Sequence, residues 1–320
     1  MLRNTYVGML LLGIATSPLA DTFPSRPVRL IAPFPAGGGI DIVGRQLAQK
    51  LTEKWSQQVV VDNRAGATGI IGTDLAAHAT PDGYTLVVGN VATHAVNVSL
   101  YQKLPYDPVK DFAPITLVAR VPEVLVVHPS LAASSVKDLI ALAGKKPGTL
   151  TVGTAGSGSP PHLAAELFQL LAKVQFVVVP YKGSTPALVD LTGGQINLYF
   201  ANVLSAAPLV KGGRLRALGV TSAKRSVVLP EVPTVAEAGV SKYEEYNWYG
   251  ILAPRGVPAP VLAKLNADIV AVLRSPDVEQ KFVADGAEVI ANTPQEFAKF
   301  IRSEIDKYAA VVKQRGLKAQ

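Results

Sequence analysis

Cysteine is absent from the 320-residue chain, and several other chemical groups are scarce. Without thiols there is no disulfide, no cysteine-ligated metal, no cysteine nucleophile and no lipidated N-terminal cysteine. Charged residues make up only 17% of the chain, and the four histidines form no HExxH pattern. Apart from the N-terminus, no apolar run approaches the ~20 residues of a membrane-spanning helix. Thiol chemistry and an integral membrane protein are therefore disfavoured.

The longest apolar segment lies at residues 6–20, directly after Met1-Leu2-Arg3. A basic start, a short apolar stretch and small residues before the end are typical of a secretory signal peptide. We predict cleavage after Ala20, so that 1–20 is a signal peptide and the mature protein is unlipidated and soluble in the periplasm. An uncleaved anchor is the alternative.

Positive charge exceeds negative charge, with a formal net charge of +7. The basic residues are spread along the chain, and neither a run of five nor interleaved aromatics occurs. A nucleic-acid partner is therefore not predicted. The excess charge produces a mild field that favours anionic ligands.

Strand-like and helix-like segments alternate along the chain, with Pro/Gly turns between them. This alternation predicts an α/β fold with mostly parallel sheets. The predicted strands lie at 28–32, 58–61, 84–88, 115–119, 124–128, 149–153, 175–179, 196–200, 215–220 and 248–253. The predicted helices lie at 40–54, 69–79, 135–143, 160–172, 184–191, 202–210, 233–238, 258–273, 276–284 and 294–314.

Two segments share the order strand, glycine-rich loop, helix. The first is VRLIAPFPAGGGIDIVGRQLAQKL at 28–51, and the second is LTVGTAGSGSPPHLAAELFQLL at 150–171. A third glycine-rich turn at 63–69 precedes another helix. Because ligand loops follow the carboxyl ends of parallel strands, we predict two lobes whose helix N-termini face a shared cleft.

The loops lack the marks of well-known catalytic and nucleotide sites. Neither GxGxxG with a following acid, nor GK[ST], nor GxSxG occurs. His162 and Glu166 lie four residues apart and suit either a shared metal or an ordinary helix pair. A hydrolase-like site around Ser157, Ser159 and His162 stays open as an alternative.

Anion capture by backbone donors is the remaining interpretation. The N–H groups of 36–39 and of 155–159 suit a carboxylate, and hydroxyls of the second loop add further donors. The alternative is that these glycines only form tight turns. Asp41 lies in the first turn of its helix, where it either complements the helix dipole or accepts a hydrogen bond from the ligand.

An ordered set of motifs covers nearly the whole mature chain and resembles the Bug/TctC family of periplasmic solute receptors of tripartite tricarboxylate transporters. The motifs are PFPAGGGID (33–41), NRAGATGIIG (63–72), PDGYTL (81–86), THAVN (93–97), LPYDPVKDF (104–112), GTAGSGSPPHLAAELF (153–168), PYKGSTPA (180–187), LPEVPT (229–234) and WYGILAP (248–254).

The resemblance implies a two-lobed periplasmic-binding-protein (Venus-flytrap) fold with an interlobe ligand cleft. We expect lobe 1 at 21–122, lobe 2 at 123–248 and a return to lobe 1 at 249–320. The implied protein is a monomer that binds a small carboxylate without cofactor or metal and docks on a two-component membrane permease. The expected ligand-binding residues are Phe34, Ala36, Gly37, Gly38, Gly39, Asp41, Thr93, Thr154, Ala155, Ser157, Ser159, His162, Tyr181 and Asn202.

Two positions depart from the family pattern. Ile40 stands where many relatives carry Thr or Ser, and Ala201 stands where an Asp is frequent. These departures favour a ligand with a less polar distal end, such as an aromatic or aliphatic monocarboxylate. A sensor component that signals the ligand to a membrane kinase is an alternative role, and Phe34 and Tyr181 are alternatively ordinary core aromatics.

Overall fold

Strands and helices alternate in the computed structural model, which describes residues 23–145 and 147–318. The predicted signal peptide therefore lies outside the described residues. The strands are β1 Val28–Ala32, β2 Val59–Asn63, β3 Thr85–Asn90, β4 Phe112–Val127, β5 Thr151–Thr154, β6 Val177–Pro180, β7 Leu198–Asn202, β8 Arg216–Val220, β9 Tyr246–Pro254 and β10 Glu288–Val289. The helices are α1 Gly39–Trp55, α2 Ile70–Ala77, α3 Asn97–Leu100, α4 Val136–Lys145, α5 Pro160–Ala172, α6 Ser184–Thr192, α7 Val203–Lys211, α8 Ala259–Leu273, α9 Pro276–Ala284 and α10 Pro294–Arg315.

The strands are ordered β2-β1-β3-β9-β4-β7-β5-β6, with β8 and β10 also paired to β4. The β1–β2, β1–β3, β5–β6 and β5–β7 pairs are parallel, as strand–helix alternation predicts. The long strands β4 and β9 pair antiparallel with their neighbours. Because β4 pairs with β9 up to Pro122 and with β7 from Glu123 onward, it carries the chain from one lobe into the other. The α/β two-lobed fold class is confirmed.

Each lobe has its own buried side chains on the helix-covered faces of the sheet. In the first lobe, Tyr106 packs edge-on against Phe112 of β4. In the second lobe, Phe168 of α5 packs against Phe200 and Tyr243. Full burial of one such side chain stabilises the fold by about 1.5–3 kcal/mol. The two cores hold rigid the loops that lie between the lobes.

Several segments differ from the expected secondary structure. The strands expected at 115–119 and 124–128 form one strand, β4, because a proline at its lobe boundary does not stop an extended chain. The helix expected at 233–238 is wrong. Pro233 and Gly239 enclose too few residues for one, and the segment forms turns instead, with Thr234 bridged to Val220.

The remaining differences are small. The helix expected at 69–79 is shorter and follows a 3-10 turn at Ala67–Gly69, where Thr68 has a φ of 49°. A π-helical turn at Ala92–Val96 leads into α3. No helix within 23–145 or 147–318 has the length and hydropathy needed to cross a bilayer.

Candidate functional site

A cavity lies where the two lobes meet, and we call it the first cavity. Its walls come from the loop after β1, the ends of β3 and β7, the loop after β5, and the crossing strands β4 and β9. The lining residues are Phe34, Pro35, Gly38, Gly39, Ile40, Asn90, Glu123, Ala155, Pro160, Pro161, Ser184, Asn202, Asn247 and Tyr249.

Four helices begin at the wall of the first cavity. Gly39, Pro160 and Ser184 are the first residues of α1, α5 and α6, and Asn202 is the N-cap of α7. The first-turn N–H groups of a helix have no acceptor within the helix, and the helix dipole places positive charge there. No lysine or arginine is among the lining residues. The cavity therefore offers an anion partial charges from both lobes instead of a cationic side chain.

The glycine-rich loop of the first lobe is held in place by Asp41. This carboxyl group accepts hydrogen bonds from the Gly37 N–H at 2.9 Å, from Arg45 at 3.0 Å and from Asn63 at 3.0 Å. Burial raises the pKa of Asp41, but the hydrogen bonds from Arg45, Gly37 and Asn63 outweigh it and leave the pKa below 3.8. Asp41 is thus an ionised carboxylate that stabilises the loop from behind, and it does not line the cavity.

The loop of the second lobe is also braced from within. The Ser159 hydroxyl accepts the Ala155 N–H at 3.2 Å, and His162 Nδ1 accepts the Gly158 N–H at 3.0 Å. Burial lowers the pKa of His162, and Glu166 opposes that effect only in part. Because its Nδ1 is occupied by a backbone donor, His162 is a poor general base for a serine nucleophile. Among the described residues, no cluster of three or more His, Asp and Glu side chains suits a metal ion.

A hydrogen-bonded group of polar side chains forms one wall of the first cavity. The Tyr249 hydroxyl accepts the side-chain amides of Asn202 at 2.9 Å and Asn247 at 2.8 Å. The Asn202 carbonyl oxygen in turn caps α7 by accepting the Leu204 N–H. A Cβ on Gly39 would overlap the Tyr249 hydroxyl, so only glycine permits this close approach. Helix α1, strand β9 and the start of α7 therefore meet at one point.

Thr93 supports this wall from behind. Its hydroxyl accepts the Asn90 N–H at 3.1 Å and donates to Asn90 oxygens, and it is fully buried. Asn90 itself lines the first cavity. Thr93 thus fixes the position of a lining residue.

A second cavity adjoins the first and shares Phe34, Pro35 and Ala155 with it. The third glycine-rich turn, Gly66 to Gly69, forms one side, and Ser157 and Tyr181 form the other. The Tyr181 hydroxyl donates to Asp190 at 2.7 Å, and burial together with this carboxylate raises the pKa of Tyr181 to about 12. The residues that line the second cavity are Phe34, Pro35, Gly66, Ala67, Thr68, Gly69, Tyr101, Ala155, Gly156, Ser157, Pro180, Tyr181 and Lys182.

The expected ligand-binding residues fall into two groups. One group lines the first or the second cavity: Phe34, Gly38, Gly39, Ala155, Ser157, Tyr181 and Asn202. The other group lies outside both linings, within or behind the loops: Ala36, Gly37, Asp41, Thr93, Thr154, Ser159 and His162.

Five polar lining residues of the first cavity are absent from the expected ligand-binding residues: Asn90, Glu123, Ser184, Asn247 and Tyr249. All but Ser184 lie on strands, whereas the search followed glycine-rich loops. Glu123 offers a usable signal, because it is the one charged residue in the apolar segment VPEVLVV at 121–127. A lone acid in a strand that is otherwise buried indicates a functional or structural partner.

The fold, with a cavity between its two lobes, is that of the periplasmic-binding-protein class. Residues 43–317 match the family model TctC, described as tripartite tricarboxylate transporter family receptor. The chain belongs to this family.

Relatives of known sequence and structure agree with this assignment. The chain is 41% identical to protein BugT of Bordetella pertussis, over 96% of this chain and 94% of the relative. It resembles the solved structure "R. palustris Rpa4515 with adipate" with a TM-score of 0.90 and 40% identity, over 92% of this chain and 99% of that one. It also resembles "MatC (Rpa3494) from Rhodopseudomonas palustris with bound malate" with a TM-score of 0.85 and 33% identity, over 91% and 100% of the two chains.

Proposed function

We propose that this protein is a periplasmic receptor that captures a small carboxylate in the first cavity and delivers it, chemically unchanged, to a two-component membrane permease. The observation that carries the proposal is the convergence of four helix N-termini from both lobes on a cavity without Lys or Arg. Such backbone sites suit carboxylates. Neither a cofactor nor a metal has a role in this function, and a signal peptide at 1–20 would bring the chain to the periplasm.

The ligand that we propose is a short aliphatic carboxylate with a polar group at its other end. Adipate and malate, which accompany two similar solved structures, are of this kind. The side chains of Asn90, Asn202, Asn247 and Tyr249 give one wall of the first cavity a polar surface. An aromatic or aliphatic monocarboxylate, which the departures at Ile40 and Ala201 favoured, would place an apolar group against this polar surface.

Capture is proposed to proceed by closure of the two lobes on the ligand. The Thr185 hydroxyl of α6 donates to the Ala36 carbonyl of the opposite lobe at 2.7 Å. Gly183 lies so close to Pro35 that a Cβ would come within 2.6 Å of the proline ring. These contacts belong to a closed arrangement. We place the lobe boundaries at 122/123 and 248/249, where β4 and β9 cross between the lobes.

Thermal unfolding of the mature protein against a panel of carboxylates tests the proposal. A ligand at 100 times its dissociation constant stabilises the folded state by ~2.7 kcal/mol, which raises Tm by several degrees. Recovery of the ligand by NMR must show it unchanged. The receptor function would be refuted if no aliphatic mono-, di- or tricarboxylate shifted Tm. It would also be refuted if the protein converted its ligand into another compound.

A further inference from the structure

A buried acid faces the first cavity at the crossover between the lobes. Glu123 lies on β4 at the residue where pairing with β9 gives way to pairing with β7. It is only 1% exposed and lines the cavity. Its Oε2 atom has no hydrogen-bond partner within the part of the chain that the structure describes. The proposed anion receptor thus carries, in the wall of its own site, a buried carboxyl oxygen without a hydrogen-bond partner among the described residues.

A second buried acid lies on the neighbouring crossover segment. Glu245, directly before β9, is 6% exposed, and neither of its carboxyl oxygens has a hydrogen-bond partner among the described residues. Thr221 ties the two segments together, since its hydroxyl accepts the Glu123 N–H at 2.8 Å and donates to the Glu245 carbonyl at 2.7 Å. Glu245 does not line the cavity. The pair therefore has one member at the ligand and one behind it.

The surroundings of the pair favour its protonated forms. Burial and the charge of Glu245 raise the pKa of Glu123 well above 4.5. Burial raises the pKa of Glu245 to about 8, against the attraction of Lys307 and with the repulsion of Glu304. Lys307 itself is paired with Glu304 at 3.3 Å. The other titratable groups that face the pair are neutral tyrosines: Tyr199, Tyr243, Tyr249 and Tyr308.

We propose that Glu123 is a ligand-contacting residue that donates a hydrogen bond, as a neutral carboxylic acid, to a second acceptor group of the ligand, distinct from the carboxylate at the helix N-termini. The inference rests on the proposed function and narrows its ligand to aliphatic dicarboxylates of about four to six carbons. One carboxylate of the ligand lies at the helix N-termini, and the other accepts a hydrogen bond from the protonated Glu123. An ionised Glu123 would repel that second carboxylate and select an ammonium group instead.

Three linear ligands that differ only at one end distinguish these possibilities. Isothermal titration of the wild-type protein at neutral pH compares adipate, hexanoate and 6-aminohexanoate. We expect adipate to bind about 10- to 100-fold more tightly than hexanoate, which lacks the acceptor, and 6-aminohexanoate to bind most weakly. Tighter binding of 6-aminohexanoate, or equal binding of hexanoate and adipate, would overturn the proposal.

The pH dependence of adipate binding gives an independent readout. Above the pKa of Glu123 in the free protein, binding takes up one proton, and the affinity falls about tenfold per pH unit. Titrations in two buffers of different ionisation enthalpy measure that proton directly. We expect Glu123→Gln to abolish both the proton uptake and this pH dependence. Glu123→Leu should weaken adipate binding below the pKa of Glu123 and should likewise show no pH dependence. A wild-type affinity that stays flat up to alkaline pH while Glu123→Leu binds normally contradicts the inference.

Two further variants test whether Glu245 acts on the ligand only through its effect on the pKa of Glu123. Glu245→Gln removes the like charge behind Glu123, so the loss of affinity should begin at a lower pH, with adipate still bound. Glu244→Gln makes the same chemical change at an exposed neighbour and should leave the profile unchanged. If no carboxylate binds the wild-type protein, the proposed function fails and the inference with it. If adipate binds the wild-type protein but Glu123→Gln, Glu123→Leu and Glu245→Gln bind it with the same affinity and pH dependence, only the inference about Glu123 fails.

Discussion

The close approach of Gly39 to the opposite wall of the first cavity makes it the most informative position for a small substitution. Gly39 is the first residue of α1, where alanine is also acceptable to the backbone. A Cβ there would overlap the Tyr249 hydroxyl and lie 2.8 Å from Asn202 Cγ. Gly39→Ala therefore forces Tyr249 and Asn202 apart without straining α1 itself.

The cost follows from the hydrogen bonds that must break. The Tyr249 hydroxyl would lose the amides of Asn202 and Asn247, each worth about 1 kcal/mol. A shifted Asn202 would also weaken its cap on α7, which is worth up to about 1 kcal/mol. A gain in helix propensity of at most ~1 kcal/mol offsets part of this loss. We expect the free energy of unfolding to fall by about 1–2 kcal/mol.

Urea unfolding and ligand titration of Gly39→Ala test this reasoning, with Gly38→Ala as the matched control. A Cβ on Gly38 would meet Pro35 O at 3.6 Å and Ser184 Cβ at 4.0 Å, which are ordinary contacts. Because Gly38 is the N-cap of α1, where glycine is preferred over alanine, the control should cost no more than about 0.5–1 kcal/mol. Gly39→Ala should also weaken binding of a carboxylate about tenfold or more. Equal effects of the two variants would refute the packing argument.

Three further perturbations have defined outcomes. Thr185→Ala removes the interlobe hydrogen bond to Ala36 and should weaken ligand binding about fivefold in titration calorimetry. The control is Thr192→Ala, which should bind normally because the Thr192 hydroxyl bonds only within its own helix. Equal binding by the wild-type protein and both variants counts against a closing contact. Phe297→Ala empties a fully buried site and should cost about 3–5 kcal/mol in urea unfolding, so a loss below 1 kcal/mol would show that the site collapses. Because hydrogen bonding outweighs burial and lowers the pKa of Asp41 below 3.8, its stabilisation is present above that pH and lost as pH falls below it. The stability difference between wild type and Asp41→Asn should therefore shrink only below about pH 4, and a difference that is constant down to pH 2 would contradict this.

Local patterns carried most of the fold. Strand–glycine–helix segments such as 28–51 and 150–171 are recognisable because both periodicity and turn chemistry are local properties. In addition to the short span between Pro233 and Gly239, a non-local contact disfavours the expected helix at 233–238, since the Val235 N–H donates to the Val220 carbonyl of β8. The union of 115–119 and 124–128 into β4 is likewise set by pairing with two different lobes.

The site was predictable where the loops form it and not where the strands do. Glycine-rich loops indicate close backbone approach, so Gly38, Gly39 and Ala155, which line the first cavity, were among the expected residues. Asn247 and Tyr249 belong to a strand whose aromatic residues suggest core packing, and their exposure to the cavity depends on β9 crossing between lobes far apart in sequence. Composition and spacing contain no information on that crossing.

The absence of cations from the first cavity's lining has a consequence for how binding drives closure. A ligand shifts a conformational equilibrium only through its difference in affinity between the two states. A lysine or arginine on one lobe would attract a carboxylate almost equally in the open and closed forms. Weak partial charges divided among α1, α5, α6 and α7 act together only when the lobes meet. In such a site most of the binding energy is available only on closure, so that the closed form is itself the signal that a ligand is present.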